Sequence, residues 1–194
     1  MAAPQMPRVG PEPAGADRAR PNWVLASLLA GIAMAVLLML VATLLRKGFF
    51  TPLYLVAAPF TASDEATTSM AAAKAGDPLF YAPGAVTLGA LVHLTCSMLF
   101  GAVFASLVTR IRVAGPGVVA AGVLYALAVM LVMSFAVLPL AAEVLGGGVV
   151  VVDMAVRLGW ATWIVAHVVY GLVLGRLSVP RSGRVVVDRD RLVT

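Results

Sequence analysis

The sequence predicts an all-α membrane protein: a four-transmembrane-helix up-down bundle, read as two duplicated helix hairpins with an interfacial segment in the first outer loop. Three observations carry this reading: the composition, four long uncharged stretches, and a likeness between the two halves. Of the 194 residues, 61% belong to the hydrophobic set and only 12% are charged, with a mean hydropathy of +0.99. Soluble domains carry about 25% charged and roughly 45–50% apolar residues, so composition alone moves the chain into the membrane class. A spanning helix needs about 20 apolar residues, and four stretches supply them, near 23–45, 85–109, 115–140 and 158–178.

Taken in order, residues 1–21, "MAAPQMPRVGPEPAGADRARP", are rich in Pro, Gly and charge and read as a disordered cytoplasmic tail. The first span, Trp23–Leu45, has no charge. Signal-peptide cores run only about 7–15 apolar residues, so a retained helix is expected. The outer loop, 46–84, opens with "GFFTPLYLVAAPF", too short and too broken by Pro52 and Pro59 to span. Apolar runs of about 10–14 residues belong to interfacial or re-entrant segments. Phe49, Phe50, Tyr54 and Phe60 suit an aromatic belt at headgroup level. The polar, Ala-rich "TASDEATTSMAAAKAGDP" then reads as a short helix over the mouth of the bundle, either a lid or docking surface or a plain spacer.

The second span contains His93 and Cys96, the third is uncharged from Val113 to Ala142, and the fourth contains His167. Asp153 and Arg157, spaced i, i+4, would help start that fourth helix. Trp160 and Trp163 suit its outer boundary. Residues 180–194 close the chain as a second cytoplasmic tail, so the membrane domain is 22–179.

The net charge is +5, and its distribution reads as topology. With both termini cytoplasmic, Arg8, Arg18, Arg20, Arg110, Arg112, Arg176, Arg181, Arg184, Arg189 and Arg191 lie inside, against Arg46, Lys47, Lys74 and Arg157 outside, ten to four. The pair Arg46–Lys47 is the discordant note. No basic patch is interleaved with aromatic residues, so nucleic acid is not an expected partner; the lipid bilayer is.

The halves match. "AGIAMAVLLMLV" (Ala30–Val41) and "AGVLYALAVMLV" (Ala121–Val132) share six identities in twelve. Each is followed by a helix reading His-x3-small-x3-Gly: His93, Ser97, Gly101 and His167, Gly171, Gly175. Spacings of four place these residues on one helix face, and small-xxx-small faces are where membrane helices approach closely. The four small residues are therefore expected at helix contacts, with both histidines turned inward. An ionisable residue within a span is a functional candidate.

Counted from their span starts, His93 and His167 lie eight and nine residues deep, about 12–14 Å at 1.5 Å per residue. In an up-down bundle their helices are diagonal, so the rings could hold one haem b between them. That arrangement resembles the architecture of membrane b-type cytochromes. The alternative is a structural hydrogen bond repeated by duplication. Cys96, Met39 and Met130 add soft donors that would suit Cu(I), but they fall short of a recognisable metal set, and no metal site is assigned.

No Asp, Glu, Lys or Arg lies deep in a span, and there is no nucleophile–base arrangement, P-loop or dinucleotide turn, so no catalysis is expected. The "AHVVYGLVLG" and "FFTPLYLVAA" stretches are similar to segments of small multi-pass bacterial membrane proteins. That resemblance implies a four-span protein of the bacterial cytoplasmic membrane and supplies no activity. The leading expectation is a scaffold or accessory subunit meeting other membrane subunits or a second copy of itself. The alternatives are a one-haem electron carrier through His93 and His167, and passage of a small solute or metal.

Overall fold

A computed structural model describes residues 22–61 and 64–179. The tails at 1–21 and 180–194, with the seven arginines they carry, lie outside the described residues. Within the described residues every regular element is helical, and four helices are long and apolar enough to cross a membrane: Trp23–Leu44, Pro83–Ile111, Gly117–Val144 and Trp160–Ser178.

The first, α1 (Trp23–Leu44), starts where the Asn22 side chain accepts a hydrogen bond from the Leu25 N–H at 3.2 Å, relieving one of the unpaired donors of the first turn. Three helical pieces follow: α2 (Thr51–Ala57), a 3₁₀ turn (Ala58–Phe60), and α3 (Glu65–Lys74). Asp64 caps α3 through the Thr67 N–H, and Glu65 and Lys74 lie at the ends that complement its dipole. The second long helix, α4 (Pro83–Ile111), begins with proline, whose missing N–H costs nothing in a first turn. Its 29 residues extend about 43 Å at 1.5 Å each. That exceeds a hydrocarbon core of about 30 Å, so in a bilayer α4 would tilt or project.

The third long helix combines α5 (Gly117–Val132), a π turn (Met133–Val137) and α6 (Leu138–Val144). Pro139 explains the widening. It offers no N–H to the carbonyl four residues earlier, and its ring pushes that carbonyl aside. The preceding turn opens, and the Leu138 N–H reaches back to the Met133 carbonyl. Two single-turn helices, α7 (Gly148–Val152) and α8 (Met154–Leu158), precede α9 (Trp160–Ser178). Gly159, at φ +96°, separates α8 from α9 in a conformation that suits glycine. The Asp153 backbone accepts the Arg157 N–H at 2.8 Å and donates to the Val149 carbonyl at 2.9 Å, and its side chain caps nothing. The expected i, i+4 side-chain support for α9 is therefore not what starts that helix.

Helix α1 packs against α4 on one side and α9 on the other, and α5 packs along α9. The contacts run through small residues. Ser27 faces Gly101 and Gly31 faces Ser97, an antiparallel register between α1 and α4. Between α5 and α9, Gly122 meets Gly171 and Gly175, and Val119 meets Gly175. A Cβ on Gly171 would stand 2.5 Å from the Gly122 oxygen and 2.7 Å from the Val123 Cα. These backbones meet where no side chain fits.

One end of the long helices is closed by a cap built from α2, the 3₁₀ turn, α3, α7 and α8. Of the aromatic residues expected at headgroup level, the cap encloses Tyr54. Tyr54 is 2% exposed and Leu55 fully buried, and the Leu53 carbonyl lies directly on Gly89 of α4. The Tyr54 hydroxyl donates to the Phe80 carbonyl at 3.0 Å and accepts the Ala82 N–H at 2.8 Å. Thr51 Oγ1 and Ser69 Oγ pair at 2.9 Å, joining α2 to α3. Lys47 Nζ donates to the Arg157 carbonyl at 2.7 Å, fastening the end of α1 to α8. Phe60 alone of the four aromatics is largely exposed, at 52%.

Candidate functional site

Below the cap lies a cavity of about 300 Å³. That is the lower end of the range of about 300–1,000 Å³ in which small molecules are held. Helices α4, α5–α6 and α9 form its walls, Met34 of α1 reaches into it, and Val56, Pro59 and Phe60 roof it. The π turn borders the space. Helices α4 and α5 are close at Phe104 and Tyr125, whose rings are 5.3 Å apart, and the Tyr125 hydroxyl donates to the Phe100 carbonyl at 2.8 Å. Toward the cap, Met133 and Val137 of the π turn and Leu138 beside Pro139 form cavity wall. Phe60, Val137 and Leu145 line the cavity and are 52%, 40% and 53% exposed, which makes them its rim.

His93 and His167 both line this cavity. Their sequence settings match, but their hydrogen bonds differ. His93 Nε2 is 3.0 Å from the Gly31 carbonyl of α1. His167 Nδ1 is 2.8 Å from the Trp163 carbonyl one turn back on its own helix. A carbonyl only accepts, so the named nitrogen carries the hydrogen in each ring. His167 is 6% exposed, and its ring stands edge-on to Trp163 at 4.7 Å between centroids.

The hydroxyls and the indole N–H of the wall are also committed. Ser97 Oγ donates to the Ser27 carbonyl at 3.0 Å, tying α4 to α1. The Tyr170 hydroxyl donates to the Ser97 carbonyl at 2.9 Å, tying α9 to α4. Trp163 Nε1 donates to Ser134 Oγ, inside the π turn, at 3.0 Å. Trp163 is buried against its neighbours, whereas Trp160 is 40% exposed and stacks on Phe135 at 5.8 Å.

Cys96 lines the cavity, as do Met34, Met133 and Met154; Met39 and Met130 do not. Among the described residues no three His, Cys, Asp or Glu side chains are grouped to hold a metal ion. Gly101, Gly171 and Gly175 lie at helix contacts and outside the cavity wall. Sequence reasoning missed Tyr170 and Ser134. One signal for Ser134 was a serine five residues before a helical proline, where backbone and side-chain groups are rearranged. No family model, curated protein or solved structure matches the chain.

Proposed function

We propose that the protein is a non-catalytic membrane component that holds one small lipid-soluble guest in the cavity bordered by His93 and His167. In this reading it serves as an accessory or scaffold subunit beside other membrane proteins or a second copy of itself. The observation that carries the reading is the cavity itself: largely apolar walls, a folded cap as roof, and a rim of exposed Phe60, Val137 and Leu145. Absence of chemistry is supported by the hydroxyls of the wall, Ser97 and Tyr170, which donate to backbone carbonyls rather than to a histidine.

The finer architecture belongs to the same proposal. We read the four long helices as an up-down bundle of two duplicated hairpins, in a bacterial cytoplasmic membrane with both termini inside. Matching contacts support the duplication: Gly31 against Ser97 and Gly122 against Gly171 occupy equivalent positions of the two hairpins. The ten-to-four distribution of basic residues supports the orientation.

Native mass spectrometry of gently solubilised protein tests the guest. We expect a stoichiometric apolar molecule on the wild type and its loss from Ala141→Trp, which fills the wall. A guest retained equally by a folded Ala141→Trp protein would count against the cavity.

Haem is a second reading, favoured by one observation. Metal-bound histidines ordinarily donate one ring N–H to a carbonyl and ligate through the other nitrogen, and His167 is set that way by the Trp163 carbonyl. His93 fits less well, because its Nε2 is engaged by Gly31, leaving only Nδ1 to ligate. A reduced-minus-oxidised visible spectrum of protein from haem-replete cells decides: sharp α and β bands lost in both His93→Ala and His167→Ala would establish haem, and a colourless protein would remove it.

A further inference from the structure

We propose that the cavity selects a guest whose polar end donates a hydrogen bond, a phenol or alcohol on an apolar body, and that His167 Nε2 is its acceptor. This rests on the reading that the cavity holds a guest, and follows from counting donors. Five strong donors belong to side chains of the wall: His93 Nε2–H, His167 Nδ1–H, Ser97 O–H, Tyr170 O–H and Trp163 Nε1–H. Each is within 3.0 Å of a protein acceptor. The thiol of Cys96, a weak donor, is what remains.

The acceptor side is open. Among the described residues no Asp or Glu lines the cavity, and an isolated charge in an apolar wall is expensive, so each ring is the neutral imidazole, with one N–H and one bare lone pair. The bare nitrogens are His93 Nδ1 and His167 Nε2, neither with a hydrogen-bond partner among the described residues. Among the described residues, Arg157 Nε is the side-chain polar atom both sealed from solvent and unpartnered. His167 Nε2 is therefore not sealed, although its residue is 94% buried, and the space it meets is the cavity its ring lines.

A guest with only acceptors, such as a ketone, ester or ether, would set lone pairs against lone pairs with no donor to satisfy either side. A hydroxyl supplies the missing proton to the deeper ring, and its apolar body takes the wall and rim. Leaving a buried acceptor unpaired is costly, and at about 1.4 kcal/mol per decade of affinity the cost corresponds to discrimination of roughly fivefold to a hundredfold.

The test uses two probes of nearly equal shape, para-octylphenol and para-octylanisole, titrated into the full-length protein in detergent by calorimetry and corrected for partition into micelles. We expect the phenol to bind about tenfold more tightly than its methyl ether, and the preference to vanish in His167→Phe. With histidine ¹⁵N-labelled, the Nε2 resonance of His167 should move on adding the phenol and not the ether. That readout needs only the wild-type fold, so misfolding of the variant does not remove the test.

Equal binding of both probes would overturn the donor rule while leaving the guest reading intact. Binding of neither would remove the guest reading itself. A preference that survives in folded His167→Phe would overturn the assignment to His167. Stoichiometric metal in the purified protein, lost in His167→Phe, would also overturn the proposal, because a metal ion would then be the electron-pair acceptor at Nε2.

Discussion

At the scale of single residues, the tightest constraints are glycines where two backbones touch. Gly171 has the Gly122 oxygen, the Val123 Cα and the Ala126 Cβ all within 2.9 Å of where its own Cβ would be. Neither backbone can yield without separating α5 from α9. Gly171→Ala should therefore destabilise the protein by about 1–3 kcal/mol, the usual cost of overpacking, as a lower melting temperature in detergent. Gly84, in the first turn of α4, has nothing within 4 Å, and Gly84→Ala should stabilise by about 0.4–1 kcal/mol by restricting the unfolded chain. Equal effects of the two substitutions would contradict the packing described. The histidines were legible at this scale because ionisable residues are rare in such a chain. Their ring-nitrogen roles were not. The partner of His93 lies 62 residues away, and that of His167 depends on a ring rotation that spacing does not encode.

At the scale of elements, α2 differs most from expectation, and a physical signal for its burial was present. A helix lying in the membrane interface needs a polar face, and "TPLYLVA" offers little: six of its seven residues are buried. An element apolar all round belongs inside. Pro52 and Pro59 looked like interruptions, yet each sits at a helix start, where proline is tolerated.

Tyr54 holds the cap to the start of α4 by bonding Phe80 and Ala82 together. Tyr54→Phe leaves that carbonyl and N–H without their partner, a loss of about 1–3 kcal/mol. It should appear as faster amide exchange across 51–60 and 78–83, with the long helices unchanged. Burial raises the Tyr54 phenol above its ordinary 10.0, against a smaller lowering by the Ala82 N–H. An acid with a raised value is favoured in its neutral form by the fold. The contribution of Tyr54 is thus fully present below pH 10 and fades as pH rises through the raised value. The wild-type minus Tyr54→Phe absorbance at 295 nm should accordingly show a phenolate transition displaced upward from that of free tyrosine. A transition at the ordinary value would place Tyr54 in solvent.

At the scale of the whole molecule, the four long helices were legible because bilayer thickness sets their length and hydrocarbon their composition. Their neighbours were not, since helices apolar on every face carry little record of which side meets protein and which meets lipid. The charges are instructive too. Lys47, discordant as a topology signal, has a structural partner in the Arg157 carbonyl.

The proposed duplication has a consequence for assembly. The link between the halves is the short turn after α4, where Arg112 and Gly115 adopt φ of 54° and 60°, and α4 and α5 touch only sparsely beyond it. The hairpins are joined chiefly by α1 lying along α9, with the Tyr125–Phe100 and Tyr170–Ser97 hydrogen bonds as further ties. None of these depends on the connecting peptide. Residues 1–112 and 113–194, expressed together as separate chains with a tag on one, should therefore purify as a pair. That pair should melt below the intact protein, because joining the ends no longer reduces the entropy cost of association. Adding Gly171→Ala to the second fragment should weaken its own hairpin and so the pair, while Gly84→Ala in the first should not. If the fragments fail to meet although each inserts into the membrane, the connecting turn would be holding the halves together, and the interface between α1 and α9 would not be the one that assembles the molecule.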